Sequence, residues 1–445
     1  MKRKLHSLLR NKFTGIFILS AALVFASCSK NGSPVTPPPA AATIATVTGP
    51  TGLTSGPKNT IITITGTNFI TDLAQIQVKV NGKNCTVLTA TATSITARIP
   101  PACGTGIVEL FLNGTRYAGP VFNFVFTYTL SSVTNGTNGY VNGPLATAQF
   151  EQFIGVTIDG NDNIYTGQYD KPRIRKITAA GIASNLAGNG THGYLDAQGD
   201  NAIFSAMDFC SADAAGNVYV ADQAFGSLPN NRIRKVDVNG NVTTLATLPY
   251  FVYGIKIGKL GNIYVSGDAN ISKYTSSGTL VWRLTSHGTG NVDGDTSIVQ
   301  FNAYGGIEVD DTETNIYIST NMFPGSQIKK LNLTAKTLTT IAGDGTAGDV
   351  ATGPALSCKF RLVVAAVLDN AGGLYFCDFY NNKICYLKDG VVSTIVNGTN
   401  GTNLDIDGDV SIGRLAGPHG LAFDSHGQLF IGCVTNNKVK KLTMD

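Results

Sequence analysis

Three groups of residues in this 445-residue chain have types and spacings that chemistry can use. Gly188-x-Gly190-x-x-Gly193, inside AGNGTHGYLD, has the spacing that cradles a dinucleotide pyrophosphate when it joins a strand to a helix N-terminus. Asp208 and His419, in MDFCS and GPHGL, are of the types that move protons. Eight cysteines offer thiolate or metal chemistry. The glycine motif fails on its context, because AQGDNAIFSAMDFCSADAAGNVYVAD follows it with no amphipathic helix and soon breaks into short β-type runs. Cys210, Cys358, Cys377, Cys385 and Cys433 are scattered, with no C-x-x-C and no His at zinc-ligand spacing, so they read as small buried hydrophobes and no metal is expected. Cys85 and Cys103 lie in one short segment and can pair, and the sequence leaves open whether they do.

The N-terminus reads as an address. Lys2, Arg3, Lys4, Arg10 and Lys12 precede the apolar run GIFILSAALVF, which is too short for a bilayer span of roughly 20 residues. Phe25-Ala26-Ser27 before Cys28 resembles the bacterial lipobox, which implies a signal peptide over residues 1–27 and lipidation of Cys28. Ser29, not Asp, follows, so the expected destination is the outer membrane, lipid-anchored at the cell surface. Residues 28–42 carry the anchor and a Pro-rich spacer, SPVTPPPAAA. Cleavage removes five of the 33 Lys and Arg and none of the 29 Asp and Glu, leaving a net charge of −1. A nucleic-acid partner is thereby excluded.

Residues 43–127 alternate in hydrophobicity as short strands, TIITITG, IQVKV, SITARI, IVELFL and FNFVFTY, punctuated by Gly, Asn and Pro. This pattern predicts a small antiparallel sandwich. Ser55-Gly56-Pro57, Gly66-Thr67-Asn68-Phe69, Val80-Asn81-Gly82, Ile99-Pro100 and Gly104-Thr105-Gly106 resemble the landmarks of IPT/TIG domains. The resemblance implies an immunoglobulin-like spacer or interaction module.

Residues 128–445 repeat. NIYTG, NVYVA, NIYVS, NIYIS, GLYFC and QLFIG place Tyr165, Tyr219, Tyr264, Tyr317, Tyr375 and Phe430 at intervals of 45 to 58 residues. Each copy adds a basic strand such as RIRKI, an apolar strand ending near Asp before the aromatic, and a fourth such as IASNLAG. Short strands at that period predict a six-bladed β-propeller of four-stranded blades, and the whole chain is expected to be all-β. PHGLAFDSHGQLFIG and NNRIRKV resemble the NHL repeat. Gly258 stands where the sister copies carry Asp. The last copy lacks a fourth strand, and YTLSSVTNGTNGY (128–140) reads as that strand, closing the ring. GNGTHG then becomes a Gly-rich crossing between blades, recurring as GTNGY, GDGTAG and GTNGTN.

Counting five residues back from each Asp-type landmark gives an axial ring of Ile154, Asp208, Tyr253, Gly305, Val364 and His419. One Asp and one His are too few to hold a metal, and no cofactor is expected. Loops on the same face carry Tyr169, Phe225, Phe323, Phe379 and Tyr380. Clustered exposed rings mark a binding surface. His192 lies in a crossing and reads as solvated, and the RIRK rows read as strand residues balanced by acids. The leading reading is a non-catalytic surface lipoprotein. It binds a glycan or other extracellular ligand through Tyr169, Phe225, Phe323, Phe379, Tyr380, Tyr253, Asp208 and His419, with the membrane and outer-membrane uptake proteins as partners. The alternatives are a propeller lyase or hydrolase centred on His419 with Asp208, since propellers of the type it resembles include such enzymes, and a protein-docking scaffold.

Overall fold

The computed structural model describes residues 40–49, 52–101, 103–225, 231–288, 290–322, 325–398 and 404–445. Cys28 and Phe323 lie outside the described residues.

The N-terminal strands fold into an immunoglobulin-like sandwich. Thr43–Thr48, Ile61–Thr67, Ser94–Arg98 and Lys83–Ala90 pair in that order, and Lys83–Ala90 bends across to Ile76–Val80, Gly106–Leu112 and Thr115–Phe124. Alternation has the expected consequence. Ile62, Ile64, Val78, Val80, Ile95, Val108, Leu110 and Phe122 are fully buried while their neighbours face solvent. Cys85 and Cys103 remain two separate buried thiols, Cys103 Sγ turning to the Val80 carbonyl at 3.3 Å, so the disulfide left open by the sequence is not formed.

Six four-stranded antiparallel blades follow. In blade one, Phe153–Ile158 is innermost, then Ile164–Gln168, Arg173–Ile177 and Ile182–Ala187. Blade six takes Pro418–Phe423, Leu429–Cys433 and Lys438–Met444 from the C-terminus, and Tyr128–Ser132 pairs with the last of these, from Met444↔Tyr128 to Lys440↔Ser132. The ring is closed as the sequence implied. At the junction Thr127 and Asp445 exchange backbone hydrogen bonds of 2.8 and 3.0 Å, and Lys58 of the sandwich pairs with the Asp445 carboxylate.

The crossings do more than turn. In blades one, four, five and six the crossing runs along the outer edge, where the pairs Gly143–Pro144, Gly294–Asp295, Gly353–Pro354 and Gly408–Asp409 each add a two-residue strand beside the outermost one. These ribbons cover edges that would otherwise be open to another chain. The basic rows hold them there. Arg175, Arg234, Lys329 and Lys440 are fully buried. Arg234 bonds Asp196 of its crossing at 2.7 Å and Asp222 of its blade at 2.7 Å, and Lys440 bonds Asp407 at 2.8 Å. A buried cation without such a partner would be costly, and Arg175, whose crossing offers no acid, bonds the Asn142 amide oxygen at 2.9 Å and the Val141 and Gln149 carbonyls instead.

Gly188 and Gly190 adopt left-handed φ of 94° and 83°, and a Cβ on Gly188 would sit 2.6 Å from the Pro172 carbonyl. They are turn glycines, and only the three-residue 3-10 turn Gly199–Asn201 follows them, so no helix terminus faces them. Gly193 lies outside the left-handed region.

Candidate functional site

The innermost strand of four blades carries a β-bulge at its entry. The register shifts between Phe153 and Gly155, Met207 and Cys210, Val363 and Ala366, and Pro418 and Gly420. A bulge re-aims side chains, and here the residues it frees are Ile154, Asp208, Phe209, Val364, Ala365 and His419. In these four blades the axial count therefore lands on bulge positions, whereas Tyr253 and Gly305 precede innermost strands without a bulge. It misses Phe209, which the bulge releases beside Asp208.

Phe209 stacks on His419 with centroids 5.3 Å apart, and Phe379 meets the other side of the imidazole edge-on at 5.6 Å. Burial between these rings drives the His419 pKa down to about 4, opposed weakly by a hydrogen bond with the Ile154 backbone, so the ring is neutral at pH 7. Its Nδ1 is buried and has no partner. Two blades away, burial pushes the Asp208 carboxyl up to about 6, although the Gln223 amide donates to it.

The loop aromatics fall into two groups. Phe379 and Tyr380 pair edge-on at 5.1 Å beside His419, and Tyr380 is 58% exposed. Around Asp208, Tyr169 meets Phe225 at 6.4 Å, and Tyr253 meets Tyr304 at 5.1 Å. The Tyr169 phenol is raised first by burial, then by the charge of Asp208. Tyr253 is raised to about 12, first by burial and then by Asp268, Tyr304, Asp208 and Tyr169, which places all five groups within electrostatic reach. Tyr304, Phe209 and Gln223 are the members the sequence reading passed over. Tyr304 immediately precedes the axial Gly305, so counting one residue wider would have found it. His192 also differs from expectation. Its ring stacks on Phe225 at 3.8 Å and its Nδ1 lies 2.5 Å from the Ser205 carbonyl, so the crossing glycines deliver a ring to this face instead of a phosphate cradle.

Apolar rings, a carboxyl group, an amide and an unpartnered imidazole nitrogen together offer stacking surfaces with a few orienting polar groups, the usual make-up of a small-ligand site. No group of three or more His, Cys, Asp or Glu among the described residues is arranged to hold a metal ion.

Residues 42–128 match the family model of the IPT/TIG domain. Among curated proteins none matches the sequence. Among solved structures, a Bacteroides thetaiotaomicron protein of unknown function is similar at 16% identity and TM-score 0.65, over 93% of this chain and 99% of its own. Two structures described as auxiliary nutrient binding proteins are also similar. The one from Bacteroides thetaiotaomicron has 17% identity and TM-score 0.56, over 91% of this chain and 98% of its own. The one from Bacteroides ovatus has 17% identity and TM-score 0.55, over 92% and 99%. At such identities the likeness speaks to fold. The chain is all-β, an IPT/TIG immunoglobulin-like domain followed by a six-bladed β-propeller.

Proposed function

We propose that this protein is a non-catalytic binding protein that captures a glycan on the loop face of an NHL-type propeller. In this reading Cys28 is lipidated, the anchor sits in the outer membrane with the protein at the cell surface, and the IPT/TIG module spaces the propeller from the anchor. Tyr169, Phe225, Tyr253, Phe379 and Tyr380 provide the stacking surfaces, Asp208 and His419 the orienting polar groups, and Phe323 belongs to the same loop set. The observation that carries the reading is the convergence of two aromatic groups on one axial mouth, joined through Phe209 and His419. The nutrient-binding description of two similar structures agrees with a ligand-capturing role and with uptake proteins as partners. Isothermal titration against a polysaccharide panel tests it, and an inert protein across the panel retires the glycan.

A second reading has one observation of its own. A neutral imidazole with an unpartnered Nδ1 and a carboxyl pushed up to about 6 form the acid and base types of a lyase or hydrolase. His419→Ala would then abolish turnover of a substrate with little change in melting temperature.

A further inference from the structure

The loop face is one end of the propeller axis. The other end opens as a funnel of about 1210 Å³ lined by the innermost strands of all six blades, with Phe209 among its lining residues. Two residues before the Asp-type landmarks, these strands place Thr157, Ser211, Lys256, Glu308, Val367 and Ala422 around the funnel at one level. In every blade the landmark N–H bonds the second strand, as Asp159 N–H does to Asn163 and Asp424 N–H to Gln428. The N–H one residue earlier therefore points away from its own sheet.

Half of these inward donors are capped by the ring. Ala212 N–H donates to Thr157 Oγ1 at 2.9 Å and Ile257 N–H to Ser211 Oγ at 3.1 Å, each partner coming from the preceding blade. Val309 N–H donates to Glu308 Oε1 at 3.1 Å, while Glu308 Oε2 accepts from Lys256 Nζ at 2.7 Å. On the opposite wall the pattern stops. Val367 and Ala422 have no oxygen to offer Phe423 N–H and Ile158 N–H, and Glu308, which precedes Leu368, is turned to Lys256 and Val309. Three backbone donors thus face a neutral ammonium–carboxylate pair across the lumen.

The charges around the funnel select the ligand. Asp159, Asp213, Asp310, Asp369 and Asp424 lie at its rim and disfavour an anion. Within the lumen Lys256 and Glu308 cancel, and the donor wall, which presents the positive ends of N–H dipoles, disfavours a cation there. A hydroxyl both donates and accepts, so a neutral polyol satisfies both walls. We infer that the axial funnel is a second ligand site, distinct from the aromatic face, that takes a neutral monosaccharide or cyclitol unit.

The test is calorimetric titration of the mature chain with glucose, galactose, mannose and myo-inositol, with glucuronate and glucosamine as charged counterparts. At least one neutral probe binds, and more tightly than its charged counterparts. Val367→Thr with Ala422→Ser supplies the missing oxygens, as Thr157 does for Ala212, and weakens that binding about tenfold, the scale of one or two hydrogen bonds, without lowering the melting temperature. Should that variant not fold, Lys256→Met with Glu308→Gln replaces the charged pair and weakens binding comparably. Phe379→Ala with Tyr380→Ala leaves it unchanged, which separates this site from the aromatic face. The inference is overturned if no neutral probe binds, if a charged counterpart binds more tightly, if the capped variant binds like the parent, or if only the aromatic variant loses binding.

Discussion

Glu313 of blade four occupies the place that Gly258 leaves empty in blade three. In blade one, Asp159 accepts the Asn161 N–H at 2.9 Å, the Asn163 amide at 2.8 Å and the Tyr165 hydroxyl at 2.9 Å. In blade three the same three partners, Leu260 N–H, the Asn262 amide and the Tyr264 hydroxyl, donate to Glu313 at 2.9, 2.5 and 2.8 Å. A Cβ on Gly258 would lie 2.1 Å from Glu313 Oε1, so glycine is what admits the neighbour's carboxylate. The divergent blade is bonded like blade one, but through a link between blades.

Glu313→Ala should leave the buried Tyr264 hydroxyl and the Asn262 amide unpaired and cost about 1–3 kcal/mol. Gly258→Asp alone should also destabilise, by collision with Glu313. The double variant restores the sister arrangement and should recover most of the loss. Urea denaturation of all four proteins gives the coupling, and additive losses would contradict the substitution of one carboxylate for the other.

Asp208 sets a pH dependence. Its folded-state pKa of about 6 exceeds the ordinary aspartate value of about 3.9, so the folded state holds the proton more tightly. The stability this contributes is present below about pH 4 and is lost as pH rises through about 6. Asp208→Asn removes the dependence. The variant should gain on the parent between pH 3.5 and pH 8 by up to about 3 kcal/mol, the equivalent of a two-unit shift. An equal difference at the two pH values would mean that the carboxyl is not held this way.

Blade closure predicts an asymmetry between two truncations. Removing 130–141 takes away most of the strand that pairs with Lys438–Met444, exposing unpaired backbone groups and the partners of Lys440. Removing 43–127 leaves the ring closed. The first should lower the propeller's melting temperature far more than the second, and equal losses would contradict closure by the N-terminal strand.

Lipidation is tested by Cys28→Ala with membrane fractionation and metabolic acyl labelling. The parent should label and partition with membranes, and the variant should do neither. A parent that carries no acyl label would contradict the anchor.

Much of this fold was legible because the repeated residues bond one another. In blade one the recurring tyrosine and the landmark Asp are a hydrogen-bonded pair, Tyr165 with Asp159, so one turn writes two marks into that copy, whereas in blade five Tyr386 takes the bond to Asp369. Arg234 and Asp196 are likewise two ends of one ion pair. The edge ribbons were not legible, since two residues such as Gly143–Pro144 have no periodicity. At the site, offset counting located Asp208 and His419, but a bulge has no signature in composition and Phe209 went unnoticed. The Lys256–Glu308 pair was hidden for another reason: it joins two blades across 52 residues, and neither member departs from its own copy's pattern.

Titration of the mature protein and of Phe379→Ala with Tyr380→Ala against a polysaccharide panel tests the central claim most directly. The account predicts that at least one glycan binds the parent, and that the double variant binds it more weakly by about 1–3 kcal/mol, the scale of losing a well-packed aromatic contact. Its melting temperature should be nearly unchanged, because Tyr380 is exposed and Phe379 only partly buried. A glycan bound equally well by both proteins, or by neither, would contradict the aromatic face as the site of capture.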